Sequence, residues 1–81
     1  MSFNSWFRDM PEYGAAVTPA DTGHLEQPAT LFIGGSGNLK VLTVGGSTVT
    51  FTGVLSGSVL PVLVVRVFST GTTATNIAAM W

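Results

Sequence analysis

The stretch "STVTFTGVLSGSVLPVLVVRVF" (Ser47–Phe68) decides the fold class. In its first half Val49 and Phe51 fall on one side of an extended chain, and the threonines that alternate with them fall on the other. A Ser-Gly-Ser turn follows. The second half, Val59–Phe68, is apolar at nearly every position, which is typical of a strand buried on both faces. Pro61 has no backbone N–H, so it is expected near a strand end, at a bulge or on a sheet edge.

Short β-rich runs continue on both sides of this stretch. Three further strands are predicted, over Thr30–Gly34, Leu39–Val44 and Asn76–Trp81. Turn-forming clusters separate the strands: Gly34–Asn38, Gly45–Gly46 and Ser69–Thr75. No segment after residue 30 has a helical period. We therefore expect an all-β fold, a small antiparallel sandwich or barrel of about five strands, preceded by an irregular N-terminal arm.

The closing strand presents two sets of side chains, because alternate residues of a strand point to opposite faces. The set with the larger apolar area is assigned to the core: Ile77, Ala79 and Trp81. The flatter set is expected to face a neighbouring subunit: Asn76, Ala78 and Met80, with Ala78 allowing close approach and Met80 adapting to its partner. In the turn before this strand, Gly71 is expected to take a positive φ, with threonine hydroxyls bonding local backbone groups.

Composition indicates a folded domain that associates with other protein. The 81 residues suffice for one small domain, and the absence of cysteine removes disulfides and thiolate-bound zinc as staples. The chain is 46% hydrophobic, which excludes a disordered class. Charged residues make up 9% of the chain, against roughly 25% in an average soluble protein. We therefore expect oligomerisation to cover part of the surface.

Charge is concentrated ahead of the β-rich part. Five of the seven charged residues precede residue 30. This shift predicts an arm with a capped turn over residues 1–29 and a compact β module over residues 30–81. The segment Thr18–Asp21 (Thr-Pro-Ala-Asp) has the residues of one helical turn or a type I turn, with Asp21 reaching back to free backbone donors.

Several function classes are excluded. The longest apolar run is too short to cross a membrane, and the first residues do not resemble a secretory signal. Three basic residues cannot form a nucleic-acid surface. His24 is the only histidine, so one chain cannot build a multi-histidine metal site. No serine lies in a nucleophile elbow, and the Gly34–Asn38 stretch lacks the dinucleotide-binding pattern. We expect no catalytic residue, no metal and no cofactor.

Two features point to an interface. Four aromatic residues occupy a segment too short to bury them by itself: Phe3, Trp6, Phe7 and Tyr13. They either fold back on their own module or anchor the arm on another protein. Arg66 stands in the most apolar strand, whereas Lys40 borders a turn. Arg66 must therefore reach solvent at the rim of the module or pair with a carboxylate, Asp21 or Glu26, of a neighbouring subunit.

The sequence resembles the spike base family of tailed phages and gene transfer agents over residues 15–81. The matching positions are Val17-Thr18-Pro19 with Asp21, Gly53 and Gly57, Leu60-Pro61-Val62, Arg66, and Thr70-Gly71-Thr72-Thr73-Ala74. Two departures are evident: Ala20 stands where the family has serine, and the strand after Pro61 carries fewer arginines. The arm before residue 14 has no matching family pattern.

This resemblance implies a non-enzymatic virion protein, made in the host cytoplasm and carried on the outer capsid surface. It implies a ring of copies as the base of a head spike or fibre, with a pentamer favoured and a trimer as the alternative. The implied partners are the major capsid protein and the spike or fibre protein. A cement or decoration protein between capsomers is the first alternative. A carbohydrate-binding module of a spike, with Trp6 or Trp81 as the sugar platform, is the second.

Overall fold

A computed structural model describes residues 11–81; Phe3, Trp6 and Phe7 lie outside the described residues. The predicted all-β class is confirmed. The described residues form six strands: β1 Gly14–Ala16, β2 Ala29–Gly35, β3 Gly37–Thr43, β4 Thr48–Val54, β5 Ser58–Val67 and β6 Thr75–Met80. Between residues 11 and 81 no segment forms a helix of the length and hydropathy needed to cross a membrane.

The six strands form one open antiparallel sheet, where a sandwich or barrel of about five strands was expected. The order across the sheet is β1-β6-β2-β5-β3-β4, so β1 and β4 are its edges. The strand that was not predicted is β1, which lies within the predicted arm and pairs with β6. The long strand β5 lies near the centre, with its first half on β2 and its second half on β3.

One face of the sheet carries the core, as strand alternation requires. The fully buried large side chains come from its central strands: Leu31, Ile33, Leu39, Val41 and Val64. As predicted for the closing strand, Ile77 and Ala79 are buried and Trp81 packs against the same cluster. Val49 and Phe51 of β4 also pack on this side, which confirms the alternation predicted for them.

The segment between β1 and β2 extends the sheet beside β5. The Leu25 N–H donates to the Val65 carbonyl at 2.7 Å, and the Ala20 N–H donates to the Val67 carbonyl at 2.8 Å. These bonds continue along β5 beyond Val64, which pairs with Ala29 at the start of β2. The second half of β5 is therefore bonded along both edges. Val17 and Leu25 also pack against the core.

Pro61 lies at a bulge, as predicted. Leu31 of β2 is opposite Leu60, whereas Ala29 is opposite Val64, so residues 61–63 of β5 face a single residue of β2. The bulge leaves Pro61 exposed and without a ladder position that its missing N–H would need to fill.

The glycine cluster after Ile33 is not the β-turn that was predicted. Only Ser36 separates β2 from β3, and these strands do not pair with each other, because β5 lies between them. Gly34 is needed for close approach: a Cβ at this position would lie 2.7 Å from the carbonyl oxygen of Asn76. The cluster therefore brings β2 against the start of β6.

The turn before β6 matches its prediction at Gly71, but its threonine hydroxyls bond to a distant strand and not to local backbone groups as predicted. Gly71 has a φ of 91°. The Thr72 hydroxyl accepts from the Lys40 N–H at 3.1 Å, and the Thr73 hydroxyl accepts from the Asn38 N–H at 2.8 Å. The threonines of this turn therefore bond to the backbone of β3.

Candidate interaction surface

The sheet face opposite the core, called the open face below, is apolar over β6, β2 and the first half of β5. Leu31 and Ile33 point into the core, so Phe32 between them points out. Phe32 pairs across strands with Val59 on one side and Ala78 on the other. Phe32 is 38%, Val59 53% and Leu63 48% exposed. These side chains form a contiguous surface that the described part of the chain leaves uncovered.

Strand β5 was predicted to be buried on both faces, but among residues 11–81 only its core face is buried. Leu60, Val64 and Val67 are buried on the core face, but Val59 and Leu63 on the open face are about half exposed. The segment that could have covered them runs along the edge of β5 instead. Within residues 11–81 the second face of β5 therefore lacks a cover.

Two cations flank one aromatic ring further along the open face. The Lys40 Nζ lies 5.1 Å from the centre of the Phe68 ring, and the Arg66 guanidinium carbon lies 5.3 Å from it. Lys40 belongs to the middle of β3 and does not border a turn as predicted. The polar end of the open face is therefore cationic and contains an aromatic ring.

Arg66 bonds within its own chain through two neighbouring residues. Its Nε donates to the Gly23 carbonyl at 2.6 Å, and its Nη2 lies 3.4 Å from the His24 Nε2. These contacts fit the rim position predicted as the first option. A pair between Arg66 and an acidic residue of another subunit stays a prediction.

Asp21 bonds to the turn before β6. Its Oδ1 accepts from the Thr70 N–H at 2.9 Å, and its Oδ2 accepts from the Thr70 hydroxyl at 2.6 Å. The bond from the Thr70 hydroxyl is the larger cause, and the bond from the Thr70 N–H the second, of a pKa of Asp21 that lies below its ordinary value. Residues 18–21 form neither the helical turn nor the hydrogen-bonded turn that was predicted, because Asp21 reaches Thr70 instead of its own segment.

Tyr13 and Trp81 close the other end of the sheet. The Trp81 carbonyl accepts from the Glu12 and Tyr13 N–H groups, both at 2.8 Å, and the Trp81 N–H donates to the Tyr13 carbonyl at 3.0 Å. The two rings stack with centroids 6.1 Å apart. Tyr13 itself remains mostly exposed, while Trp81 is partly buried.

The fold agrees with a solved virion structure. A chain in the capsid of a native gene transfer agent (GTA) particle, computed with C5 symmetry, superimposes with a TM-score of 0.80. The two sequences are 32% identical, and the match covers 100% of each chain. This chain belongs to the capsid-associated proteins of gene transfer agents and phages. It matches no protein-family model and no curated protein sequence.

In this capsid-associated protein the residues predicted at an interface fall in separate places. Ala78 and Met80 lie on the apolar part of the open face, opposite Phe32 and Thr30. Arg66 lies at the cationic end of the same face, whereas Tyr13 lies beside β1. Sequence reasoning missed Phe32, although the Leu31-Phe32-Ile33 alternation carried the signal. Val59 and Leu63 were missed because a uniformly apolar strand does not reveal which face is covered.

The described part of this capsid-associated protein offers little chemistry. Among residues 11–81 there is no group of three or more histidine or acidic side chains that could hold a metal ion. Asp21 is bonded to Thr70, and His24 contacts Arg66 on the surface. The arrangement is suited to binding by burial and shape.

Proposed function

We propose that this protein is a non-enzymatic structural component of a phage-like or gene transfer agent virion. Copies of the chain assemble as a ring, a pentamer in preference to a trimer, on the outer capsid surface. The ring is the base that carries a head spike or fibre. The observation that carries the proposal is the full-length likeness, at 32% identity, to a chain in the capsid of a native GTA particle computed with C5 symmetry.

The open face supports this proposal physically. It exposes Phe32, Val59 and Leu63 together, and monomeric soluble proteins rarely leave a large contiguous apolar surface uncovered. A stable protein interface buries about 800 Å² per partner. In the proposed ring, the open face, with Ala78 and Met80, is covered by an adjacent protein of the particle.

The arm supplies the second attachment in this proposal. Phe3, Trp6 and Phe7 anchor the protein on the major capsid protein, since aromatic side chains give much binding energy per residue. Tyr13, exposed beside β1, marks where the arm joins the sheet. The module then faces the spike or fibre protein.

The experiment is cryo-electron microscopy of particles from cells that express the wild-type or a variant chain. Phe32→Glu places a charge on the open face, and because Phe32 is not one of the buried core side chains, the fold is expected to persist. Wild-type protein should give density at the fivefold vertices, and Phe32→Glu should remove it. Ser56→Glu, in the exposed turn between β4 and β5, is the matched control and should retain it.

The alternatives give different results in the same experiment. Density between capsomers away from the vertices would identify a cement protein and overturn the spike-base role. Density absent from wild-type particles would overturn the virion role itself. The sugar-platform alternative gains no support from Trp81, because its ring packs on the core and is stacked by Tyr13.

A further inference from the structure

The edge strand β4 lacks the usual protection of an exposed sheet edge. Natural edges are shielded by charged residues, proline, short length or a covering segment. β4 spans seven residues, TVTFTGV, with neither a charge nor a proline. The two most exposed large aliphatic side chains of the described chain adjoin β4 and its connection to β3: Leu55, directly after β4, is 71% exposed, and Val44, directly after β3, is 56% exposed. One bulge near Gly53 is the single protective device of β4.

The free backbone groups of β4 can be assigned from its pairing. The Thr43 N–H donates to the Ser47 carbonyl, and β3 and β4 pair with Val41 opposite Val49. In an antiparallel ladder every second residue bonds to a given neighbour. Residues 47, 49 and 51 therefore bond to β3, and Thr48 and Thr50 direct their N–H and C=O groups away from the sheet.

The opposite edge has the same arrangement. Tyr13 and Val17 direct their N–H groups to the carbonyls of Trp81 and Ile77. By the same alternation, Gly14 and Ala16 of β1 direct their backbone groups away from β6. Within residues 11–81 both edges thus offer two residues with free donors and acceptors, and neither edge carries a charged or bulky side chain at those positions.

The two edges are compatible in direction and in face. All five pairings are antiparallel and the sheet has six strands, so β1 and β4 of one chain run in opposite directions. When a second copy is related to the first by rotation about an axis parallel to the strands, its β1 therefore runs antiparallel to β4 of the first copy. Ala15 lies opposite buried Ala79, and Val49 packs on the core, so Ala15 and Val49 share the core face.

We propose that β4 of one copy adds to β1 of the next copy, head to tail, in the ring. Residues 14, 15 and 16 of one copy lie opposite residues 50, 49 and 48 of the other. Head-to-tail contacts close into rings with cyclic symmetry, and the number of copies rests on the proposed function. Val49 then sits beside a groove of about 340 Å³ whose lining includes Ala15, Leu25 and Trp81.

The absence of cysteine from the chain makes the test direct. In the proposed register, positions 15 and 49 form a non-hydrogen-bonded pair with Cα atoms about 4.5 Å apart. This separation lies within the range of about 4.4–6.8 Å that a disulfide spans. The purified double variant Ala15→Cys/Val49→Cys is oxidised and run on a non-reducing denaturing gel. A ladder ending at the covalent ring, with most chains cross-linked, is expected.

Two matched controls restrict the interpretation of the gel. Ala15→Cys/Thr50→Cys places the second sulfur on the other face and should remain monomeric on the gel. Val49→Cys alone should also remain monomeric, and covalent dimers from it would show a two-fold β4–β4 contact and overturn the proposal. A monomer band from the Ala15→Cys/Val49→Cys pair would overturn it too.

Proline tests the backbone bond itself. Thr50→Pro removes an N–H that points away from β3, so the ladder within the chain keeps its bonds. Light scattering at micromolar concentration should show a shift from the ring to monomer, with an unchanged far-ultraviolet circular dichroism spectrum. A ring that forms as in the parent would overturn the proposal.

The failure of this inference and of the proposed function can be told apart. If the cross-linked ladder forms but the protein is absent from particles, the proposed function is wrong and the edge contact stands. If the protein occupies the fivefold vertices but the cysteine pair does not cross-link there, the edge contact alone is wrong.

Discussion

Substituting Gly34 by alanine tests whether the glycines after Ile33 serve close packing. A Cβ at position 34 would lie 2.7 Å from the Asn76 carbonyl oxygen and 2.8 Å from the Asn76 Cβ. Carbon atoms in contact prefer about 3.5 Å or more, so β2 and β6 must separate by about 0.7 Å. Asn76 cannot easily yield, because its own φ is 52° and its backbone is held between β6 residues that pair with β2.

The expected cost is that of overpacking, about 1–3 kcal/mol in the free energy of unfolding. For a domain of this size, each kcal/mol lowers Tm by about 4–8 °C. Urea denaturation followed by circular dichroism, at one fixed protein concentration, measures the difference. Gly45→Ala is the control, because only the Thr43 Oγ1, at 3.9 Å, lies near its added Cβ. Both variants lose similar chain entropy in the unfolded state. Equal midpoints for the two variants would refute the close-packing account.

Three further predictions follow from the ends and the rim of the sheet. Trp81→Ala should lower the free energy of unfolding, measured by urea denaturation, by about 1–3 kcal/mol. This loss is smaller than that expected for a fully buried tryptophan, because the Trp81 ring is only partly buried. A change below about 0.5 kcal/mol would contradict the prediction. Arg66→Glu should impair ring assembly in light scattering more than Lys40→Glu, because it places a carboxylate against the Gly23 carbonyl that Arg66 now binds; equal effects would contradict it. The lowered pKa of Asp21 means that its stabilisation is complete above about pH 4 and is lost as pH falls through that lowered pKa. Nuclear magnetic resonance titration should show the depressed pKa, and Thr70→Val should raise it; no response to Thr70→Val would contradict the assigned cause.

Much of the strand content could be predicted because hydrophobic alternation reports directly on burial. The strands around Phe51 and Ile77 lie within a residue or two of their predicted bounds. Their pairing order could not be predicted. The Gly34–Asn38 cluster has the residues of a hairpin turn, and sequence alone does not distinguish glycine used for a turn from glycine used for close approach. β1 was missed because three small residues carry no periodic signal.

The candidate surface was only partly predictable for a related reason. Ala78 and Met80 were found by strand parity, which places the smaller set of a closing strand away from the core. Phe32 could not be assigned to the surface from the sequence, because the sequence does not show that only one face of β2 is covered. Arg66 was recognised as unusual, but its partner, the Gly23 carbonyl, comes from an irregular segment with no pattern of its own.

The uniformly apolar sequence of β5 acquires its meaning only from this topology. A strand in the middle of a sheet has no free backbone edge, so the residues on its second face can serve only side-chain packing. Within residues 11–81 that packing is missing for Val59 and Leu63, although the chain carries few charges that would keep such a face soluble. The edge strand β4, by contrast, has backbone groups at Thr48 and Thr50 that point away from the sheet. Within residues 11–81 the molecule thus has two kinds of uncovered surface: the backbone edge of β4 and the apolar open face. In the proposed assembly the edge binds another copy of the chain, and the open face binds an adjacent protein of the particle.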